Sequence, residues 1–300
     1  MTPAYGRLLA EELGTWPAPA AAAVVGPDAL LARAGSDRAY AWASVTKPLT
    51  ALVTLAAVRQ GSLSLDDAAG PPGSTVRHLL AHSSGLAAET DKVLAPPGRR
   101  RIYSNRGYEL LGTLLEERTG RPFADQLHRV VLDPLSMRRT TFEGSPAHGA
   151  SGPVEDLARL AAELLNPRRL PATLVAQLRT TAFPGLAGVL PGFGRQDPND
   201  WGLGCEVRGH KEPHWTSPDA SPESFGHFGQ AGALLWVDPV ARVALVAAGE
   251  APFGSWAAEA WPRLSTRVLA ATPQPPQREH EHGHENADAH EHAPTRETPG

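Results

Sequence analysis

The chain has 300 residues, of which 28 are Lys or Arg and 32 are Asp or Glu, so its formal net charge is −4. Hydrophobic residues make up 41% of it, which over this length is enough for a sizeable core and excludes general disorder. No apolar run reaches the roughly 18–20 residues of a membrane-spanning helix, and the near-neutral charge gives no electrostatic case for nucleic-acid binding. The single cysteine, Cys205, excludes an internal disulfide and a Cys-rich zinc site.

The first 19 residues lack the features of a secretory signal. Glu11 and Glu12 precede any apolar stretch, and the apolar segment at 20–25 is shorter than the roughly 7–15 residues that a signal requires. We therefore expect a cytoplasmic protein with no membrane partner.

In chain order, the pattern before residue 272 predicts mixed α and β structure. Helices are predicted over 4–14, 45–59, 122–131, 154–166, 172–180 and 255–271. Two further helices are predicted, one capped by Thr75 and running through His82, the other capped by Asn105 and running to Arg118. Hairpins are predicted between 20–25 and 29–34 and between 233–237 and 241–248. We expect one domain over 1–271, with an α/β lobe at about 1–64 and 183–271 and a helical lobe at about 65–182.

The segment 272–300 has a different composition, rich in His, Pro and Glu. From residue 273 it holds six acids, two arginines and no apolar residue larger than Ala, so it carries the whole net charge. Such a segment cannot bury enough apolar surface to offset its ordering entropy, and we predict a disordered tail. Five of its side chains offer loose binding to divalent metals as the alternative to a solvated linker: His280, His282, His284, His290 and His292.

Ser44-Val-Thr-Lys47 is the first motif whose residues are suited to catalysis. At a helix start it places a hydroxyl and an amine one turn apart on the same face. A serine becomes a good nucleophile when a neighbour takes its proton, and a buried lysine of lowered pKa can do so. Taken alone, the motif is more typical of a capping serine followed by a solvated lysine.

Three more motifs accompany it in a fixed order: TVRHLLAHSSGL at 75–86, Tyr103-Ser-Asn105 and His227-Phe-Gly229. Together the four motifs resemble the class C β-lactamase-like superfamily, which includes class C β-lactamases, family VIII esterases and related DD-peptidases. The resemblance runs from about residue 20 to 271. It implies an α/β (α+β) fold of the β-lactamase/transpeptidase type, with an antiparallel sheet flanked by helices and an inserted, mainly helical lobe.

The resemblance also implies a role for each matching residue. Ser44 would be the acylated nucleophile, Lys47 its proton partner and Tyr103 the general base. Asn105 would either donate to the substrate amide or orient Lys47. His227 and Gly229 would line the substrate site, and the backbone N–H groups of Ser44 and Gln230 would form the oxyanion hole. No cofactor or metal is implied.

The third motif departs from the K-T-G of β-lactamases and penicillin-binding proteins. Lysine there supplies a permanent charge for a substrate carboxylate, whereas a neutral histidine supplies mostly a hydrogen bond. The sequence therefore favours hydrolysis of a small ester or amide through an acyl-serine intermediate, esterase-like or peptidase-like, with β-lactamase activity as the alternative. Two other classes stay open: a non-catalytic binding or regulatory pseudoenzyme, and a metal-handling protein acting through its tail.

Two further patterns are predicted to have a structural role. His78 and His82 would lie one turn apart on the same predicted helix, which is also metal-ligand spacing, but the resemblance places that helix beneath the active site as structure. Trp201-Gly-Leu-Gly204 resembles a strand of the superfamily and favours an architectural role.

Overall fold

A computed structural model describes residues 3–273 of the chain. The predicted tail and its five histidines lie outside the described residues. Within them the fold is the mixed α/β arrangement with an antiparallel sheet that the sequence predicts.

The main sheet contains six strands in the order β2-β1-β11-β10-β9-β8, so the two chain ends of the domain meet at its centre. Both predicted hairpins are confirmed, and every pairing in this sheet is antiparallel. Two small sheets accompany it, β3-β5-β4 and β6-β7. The strands are β1 (Ala20–Val25), β2 (Leu30–Gly35), β3 (Tyr40–Ala41), β4 (Thr141–Phe142), β5 (Ala150–Gly152), β6 (Gly188–Leu190), β7 (Gly194–Gln196), β8 (Glu206–Val207), β9 (Phe225–Gly229), β10 (Ala233–Asp238) and β11 (Val243–Gly249).

Helices cover both faces of this sheet, which explains why β1, β10 and β11 are buried along their whole length rather than alternating. Helices α1 and α8 pack against one face, and α6 packs against the other, where the core continues into α2 and α4. The helices are α1 (Pro3–Leu13), α2 (Thr46–Arg59), α3 (Val76–Leu80), α4 (Asn105–Thr119), α5 (Phe123–Leu127), α6 (Val154–Leu165), α7 (Ala172–Arg179) and α8 (Ser255–Ala271). In the described part of the chain, no helix is long and apolar enough to cross a membrane.

The structure corrects two of the predicted helix ends beside the site. Helix α3 ends at Leu80, and the chain then turns through His82, whose φ of 53° lies in the left-handed region. His78 and His82 are therefore not one turn apart on a shared helix. Helix α4 is capped by Ser104, whose Oγ accepts the Gly107 N–H at 3.1 Å, so Asn105 is its first residue and not its cap.

Packing around α2 supplies a test of the core. Leu52 is fully buried between α2 and its neighbours, so Leu52→Ala leaves a cavity and should lower the free energy of unfolding by about 2–5 kcal/mol. Leu30→Ala, at a position that is 41% exposed on β2, is the matched control and should change it by less than about 0.5 kcal/mol. Urea denaturation measures the free energy of unfolding of both variants. An equal decrease in the two would contradict the burial of Leu52 in the core.

Candidate active site

Ser44 lies in a turn of 3₁₀ helix, Ala43–Val45, that runs directly into α2. The residue before it, Ala43, has a φ of 45°, which a non-glycine residue rarely adopts and which stores local strain. The turn is held by the Val45 N–H, which donates to the Trp42 carbonyl at 3.1 Å, and by the buried Trp42 indole, which donates to the Gly152 carbonyl at 3.0 Å. The serine side chain is left partly exposed at the start of the helix.

Lys47 is fully buried one turn further along, and its Nζ lies among three oxygen atoms. Ser44 Oγ is at 3.1 Å, Asn105 Oδ1 at 2.6 Å and the Ala147 carbonyl at 2.9 Å. The amide oxygen and the carbonyl can only accept hydrogen bonds, whereas a hydroxyl can also donate. An ammonium can donate to all three oxygens, and a neutral amine can donate to the two acceptors while its lone pair accepts from the serine hydroxyl.

The electrostatics favour that neutral amine. Burial lowers the pKa of Lys47 well below its usual value, and the carboxylates of Glu89 and Glu109 only partly oppose the shift. The ammonium form is destabilised because no carboxylate lies against Nζ to replace the lost water.

Two threonines of α2 fix the loop that supplies the Ala147 carbonyl. Thr50 Oγ1 donates to the Pro146 carbonyl at 2.6 Å, and Thr46 Oγ1 accepts the Ala150 N–H at 3.0 Å. Thr46, Lys47 and Thr50 thus bind one loop from a single turn of helix. Sequence inspection missed this loop because a backbone carbonyl leaves no signature in the sequence.

Tyr103 is brought against both Ser44 and Lys47, although it lies 59 residues after the serine. Its ring centroid is 4.7 Å from Lys47 Nζ, and its side chain lines the same cavity as Ser44. Burial raises the pKa of the Tyr103 phenol above its usual value, and the neighbouring Ser44 side chain only partly offsets this. The phenol is therefore held protonated beside the serine.

His82 fixes the position of Tyr103 from both sides. Its carbonyl accepts the Ile102 N–H at 2.8 Å, and its Nδ1 accepts the Ser104 N–H at 3.1 Å. Its ring centroid lies 4.5 Å from that of Tyr103. Burial lowers the pKa of His82 well below its usual value, so the ring is neutral. His82 is thus a positioning residue, and the metal-ligand reading of its spacing with His78 does not match the geometry.

Asn105 contacts Lys47 directly, as the second of its two predicted roles would require. Its Oδ1 accepts from Lys47 Nζ, and its Nδ2 donates to Glu89 Oε1 at 2.5 Å. Glu89 therefore sets which end of the amide faces the lysine. Glu89 lies in a loop outside the four sequence motifs. The Ser104 hydroxyl holds this loop in place by donating to the Ala87 carbonyl at 2.7 Å.

His227 and Gly229 lie on β9, which passes beside the Ser44 turn. A Cβ atom at Gly229 would stand 2.1 Å from the Trp42 carbonyl, so only glycine allows the strand to approach this closely. His227 is buried, and its Nδ1 lies 2.7 Å from the Phe228 carbonyl while its Nε2 has no partner among the described residues. Burial lowers the pKa of His227 to about 3, so the ring is neutral at pH 7.

A cavity of about 250 Å³ opens over these groups. It brings together the predicted Ser44, Tyr103, Asn105, His227 and Gln230, whereas Lys47 lies behind them, within hydrogen-bond distance of Ser44. Its remaining lining residues are Glu89, Leu190, Pro191, Trp201, Glu206 and Phe228. Trp201 was expected to be architectural only, but it lines the cavity and its ring centroid lies 5.4 Å from that of His227.

A buried charge cluster forms one wall of the cavity. Glu206 Oε1 lies 2.9 Å from Lys211 Nζ and 3.0 Å from His214 Nε2, and its Oε2 accepts the Trp215 indole N–H at 2.5 Å. Burial alone would raise the pKa of Glu206, but the charge of Lys211 and the bonds from His214 and Trp215 outweigh burial and keep it below its usual range. The two opposite charges compensate each other here.

Over residues 3–273, no group of three or more His, Cys, Asp or Glu side chains has the arrangement of a metal site. The candidate site brings together a hydroxyl, an amine and a phenol.

Comparison with known proteins assigns the family. The model of the family described as Beta-lactamase matches residues 18–268. The chain belongs to the β-lactamase family. A solved β-lactamase from Mycobacterium bovis is 50% identical to it, with a TM-score of 0.85 over 87% of this chain and 98% of that one. This agrees with the fold and the superfamily that the four motifs predict.

Curated relatives match over shorter segments. The D-alanyl-D-alanine-carboxypeptidase/endopeptidase AmpH of Escherichia coli (strain K12) is 27% identical over 141 residues, 35% of this chain and 37% of that protein. Esterase EstB of Burkholderia gladioli is 28% identical over 167 residues, 40% of this chain and 42% of that protein. This chain thus covers well under half the length of either relative. Their names support a serine hydrolase in the broad sense.

The positioning role of His82 can be tested by two substitutions. His82→Ala leaves the buried Ser104 N–H without an acceptor and removes the ring packed on Tyr103, so it should lower the free energy of unfolding by about 1–3 kcal/mol. It should also lower kcat more than it changes KM. His82→Asn keeps an acceptor and tolerates the left-handed backbone, so it should recover part of both losses. Denaturation and steady-state kinetics measure this, and equal effects of the two variants would contradict the role.

Proposed function

We propose that this protein is a serine hydrolase that cleaves a small ester or amide through an acyl-enzyme on Ser44. The observation that carries the proposal is the 3.1 Å contact of Ser44 Oγ with Lys47 Nζ, in a cavity that Ser44 and Tyr103 line together. A nucleophile with a base and an acid within hydrogen-bond reach is the arrangement that acyl transfer requires.

In the acylation step, neutral Lys47 accepts the Ser44 proton as Oγ attacks the substrate carbonyl. The resemblance assigns the general base to Tyr103, but the pKa directions favour the lysine, because the pKa of Lys47 is lowered and that of Tyr103 is raised. Tyr103 then donates its proton to the leaving group and regains one from the lysine side. Loss of the leaving group gives the acyl-serine, and water attacks it by the same steps in reverse order.

The oxyanion that forms on the carbonyl needs donors that are fixed in advance. The backbone N–H groups of Ser44 and Gln230 are our proposed pair. The close passage of Gly229 beside the Trp42 carbonyl supports it, since it brings these two backbone segments together.

The neutral His227 supports an esterase-like or peptidase-like substrate over a β-lactam. A β-lactam carries a carboxylate, which a cationic lysine in the third motif would bind better than a neutral imidazole. The esterase name of one relative and the peptidase name of another point the same way. β-Lactamase activity remains the second candidate, and the similarity to the M. bovis β-lactamase favours it. The complete Ser44, Lys47 and Tyr103 set argues against a pseudoenzyme.

Covalent labelling tests the nucleophile. A fluorophosphonate should add to Ser44, as located by mass spectrometry, and Ser44→Ala should abolish both the adduct and the turnover of p-nitrophenyl esters by more than about 1,000-fold. Ser36→Ala, at a half-buried position after β2, is the matched control and should label like the parent protein. A penicillin probe applied in parallel separates acylation by β-lactams from their hydrolysis. An unlabelled Ser44 with no ester turnover would contradict the proposal.

The pH dependence tests the base. Acylation needs neutral Lys47, so kcat/KM should rise with pH through the lowered pKa of this lysine. The charge of Glu89 raises that pKa, so Glu89→Gln, which keeps an acceptor for Asn105, should move the acidic limb of the profile to lower pH. Glu117→Gln, at an exposed position on α4, should leave the limb in place. A shift to higher pH in Glu89→Gln would contradict a lysine base.

A further inference from the structure

His227 lines the substrate cavity, and Nε2, the nitrogen of its ring without a partner among the described residues, is a hydrogen-bond acceptor. Its Nδ1 lies 2.7 Å from the Phe228 carbonyl, and a carbonyl can only accept, so Nδ1 carries the proton of the neutral ring. Nε2 is then an unprotonated lone pair. It is buried and has no partner within residues 3–273, although the ring lines the cavity. A buried acceptor without a partner is costly, and a ligand donor would satisfy it.

The charges around the cavity also favour a ligand that donates hydrogen bonds, and specifically a cation. Among the described residues that line the cavity, Glu89 and Glu206 are carboxylates, and none is Lys or Arg. Lys211 compensates Glu206, and all three of its protons are used by Glu206, the Asp200 carbonyl and the Val207 carbonyl. The N–H groups of Lys47 donate to Asn105 Oδ1 and to the Ala147 carbonyl. In the described part of the chain, Glu89 makes no ion pair, and its exposed carboxylate stands at the cavity mouth.

We propose that the cavity selects substrates that carry a protonated amine, which donates to His227 Nε2 and is attracted by Glu89, and that it disfavours substrates with a carboxylate in this place. This inference rests on the proposed function and specifies its substrate class. A carboxylate would face a lone pair on one side and a like charge on the other, with no cation free to bind it.

Matched boronic acids test the preference without assuming which side of the scissile bond the amine occupies. Boron binds a nucleophilic serine reversibly as a tetrahedral adduct, so the three probes are phenylboronic acids with an aminomethyl, an ethyl or a carboxy group in the meta position. Inhibition constants at pH 7 should rank the aminomethyl compound tightest and the carboxy compound weakest. A charge-assisted hydrogen bond gives an expected advantage of about tenfold or more for the amine over the ethyl compound.

Two variants identify the residues responsible. Glu89→Gln should reduce the advantage of the amine over the ethyl compound several-fold. His227→Lys should reverse the order between the amine and carboxy compounds, because it replaces an acceptor with a cation. The wild-type ranking decides the inference even where a variant fails to fold.

The outcomes separate this inference from the proposed function. Equal inhibition by the three compounds, preference for the carboxylate, or no inhibition by any of them overturns the amine preference. When fluorophosphonate still labels Ser44 in those cases, the serine hydrolase stands and only the substrate class is wrong. When Ser44 also stays unlabelled, both fail together.

Discussion

The burial of Lys47 is the constraint on which the site depends. A lysine in a dry environment loses its water, and here its Nζ faces two neutral acceptors and a hydroxyl instead of a carboxylate. Its pKa falls for that reason, which favours a neutral amine beside Ser44. Burial also raises the pKa of Tyr103 and lowers that of His227, so all three side chains in this dry pocket favour their neutral forms.

The surrounding scaffold holds each partner of that lysine on a different element. Helix α2 carries Lys47 and, through Thr46 and Thr50, binds the loop whose Ala147 carbonyl accepts from it. Helix α4 begins at Asn105, whose amide is oriented by Glu89. Strand β9 approaches from the opposite side, as close as Gly229 allows. The site is therefore preorganised by rigid elements, which keeps its groups in register for acyl transfer.

Local sequence signals predicted the architecture well, because long periodic helices and paired apolar strands are determined largely by nearby residues. The four motifs also contain Ser44, Lys47, Tyr103 and His227, which the fold brings together around one cavity. The contribution of Glu89 and the Ala147 carbonyl could not be predicted, since both come from loops whose positions depend on tertiary contacts. The role of His82 was missed for a different reason: the helix was expected to continue through it, whereas the chain turns there with a positive φ. Trp201 was predicted to be structural only, because its position in the cavity lining depends on the long connection before β9.

The most direct test of the account is the protonation of Lys47 itself. The chain contains only three lysines, Lys47, Lys92 and Lys211, so labelling with ¹³Cε-lysine gives three NMR signals. Single Lys→Arg substitutions at 92 and 211 assign these signals. The account predicts that the Lys47 signal titrates well below the usual pKa of a lysine, with an amine that is neutral in the active pH range. A Lys47 signal that stays in the ammonium form up to the usual lysine pKa, about 10.4, would contradict the lysine base and the account built on it.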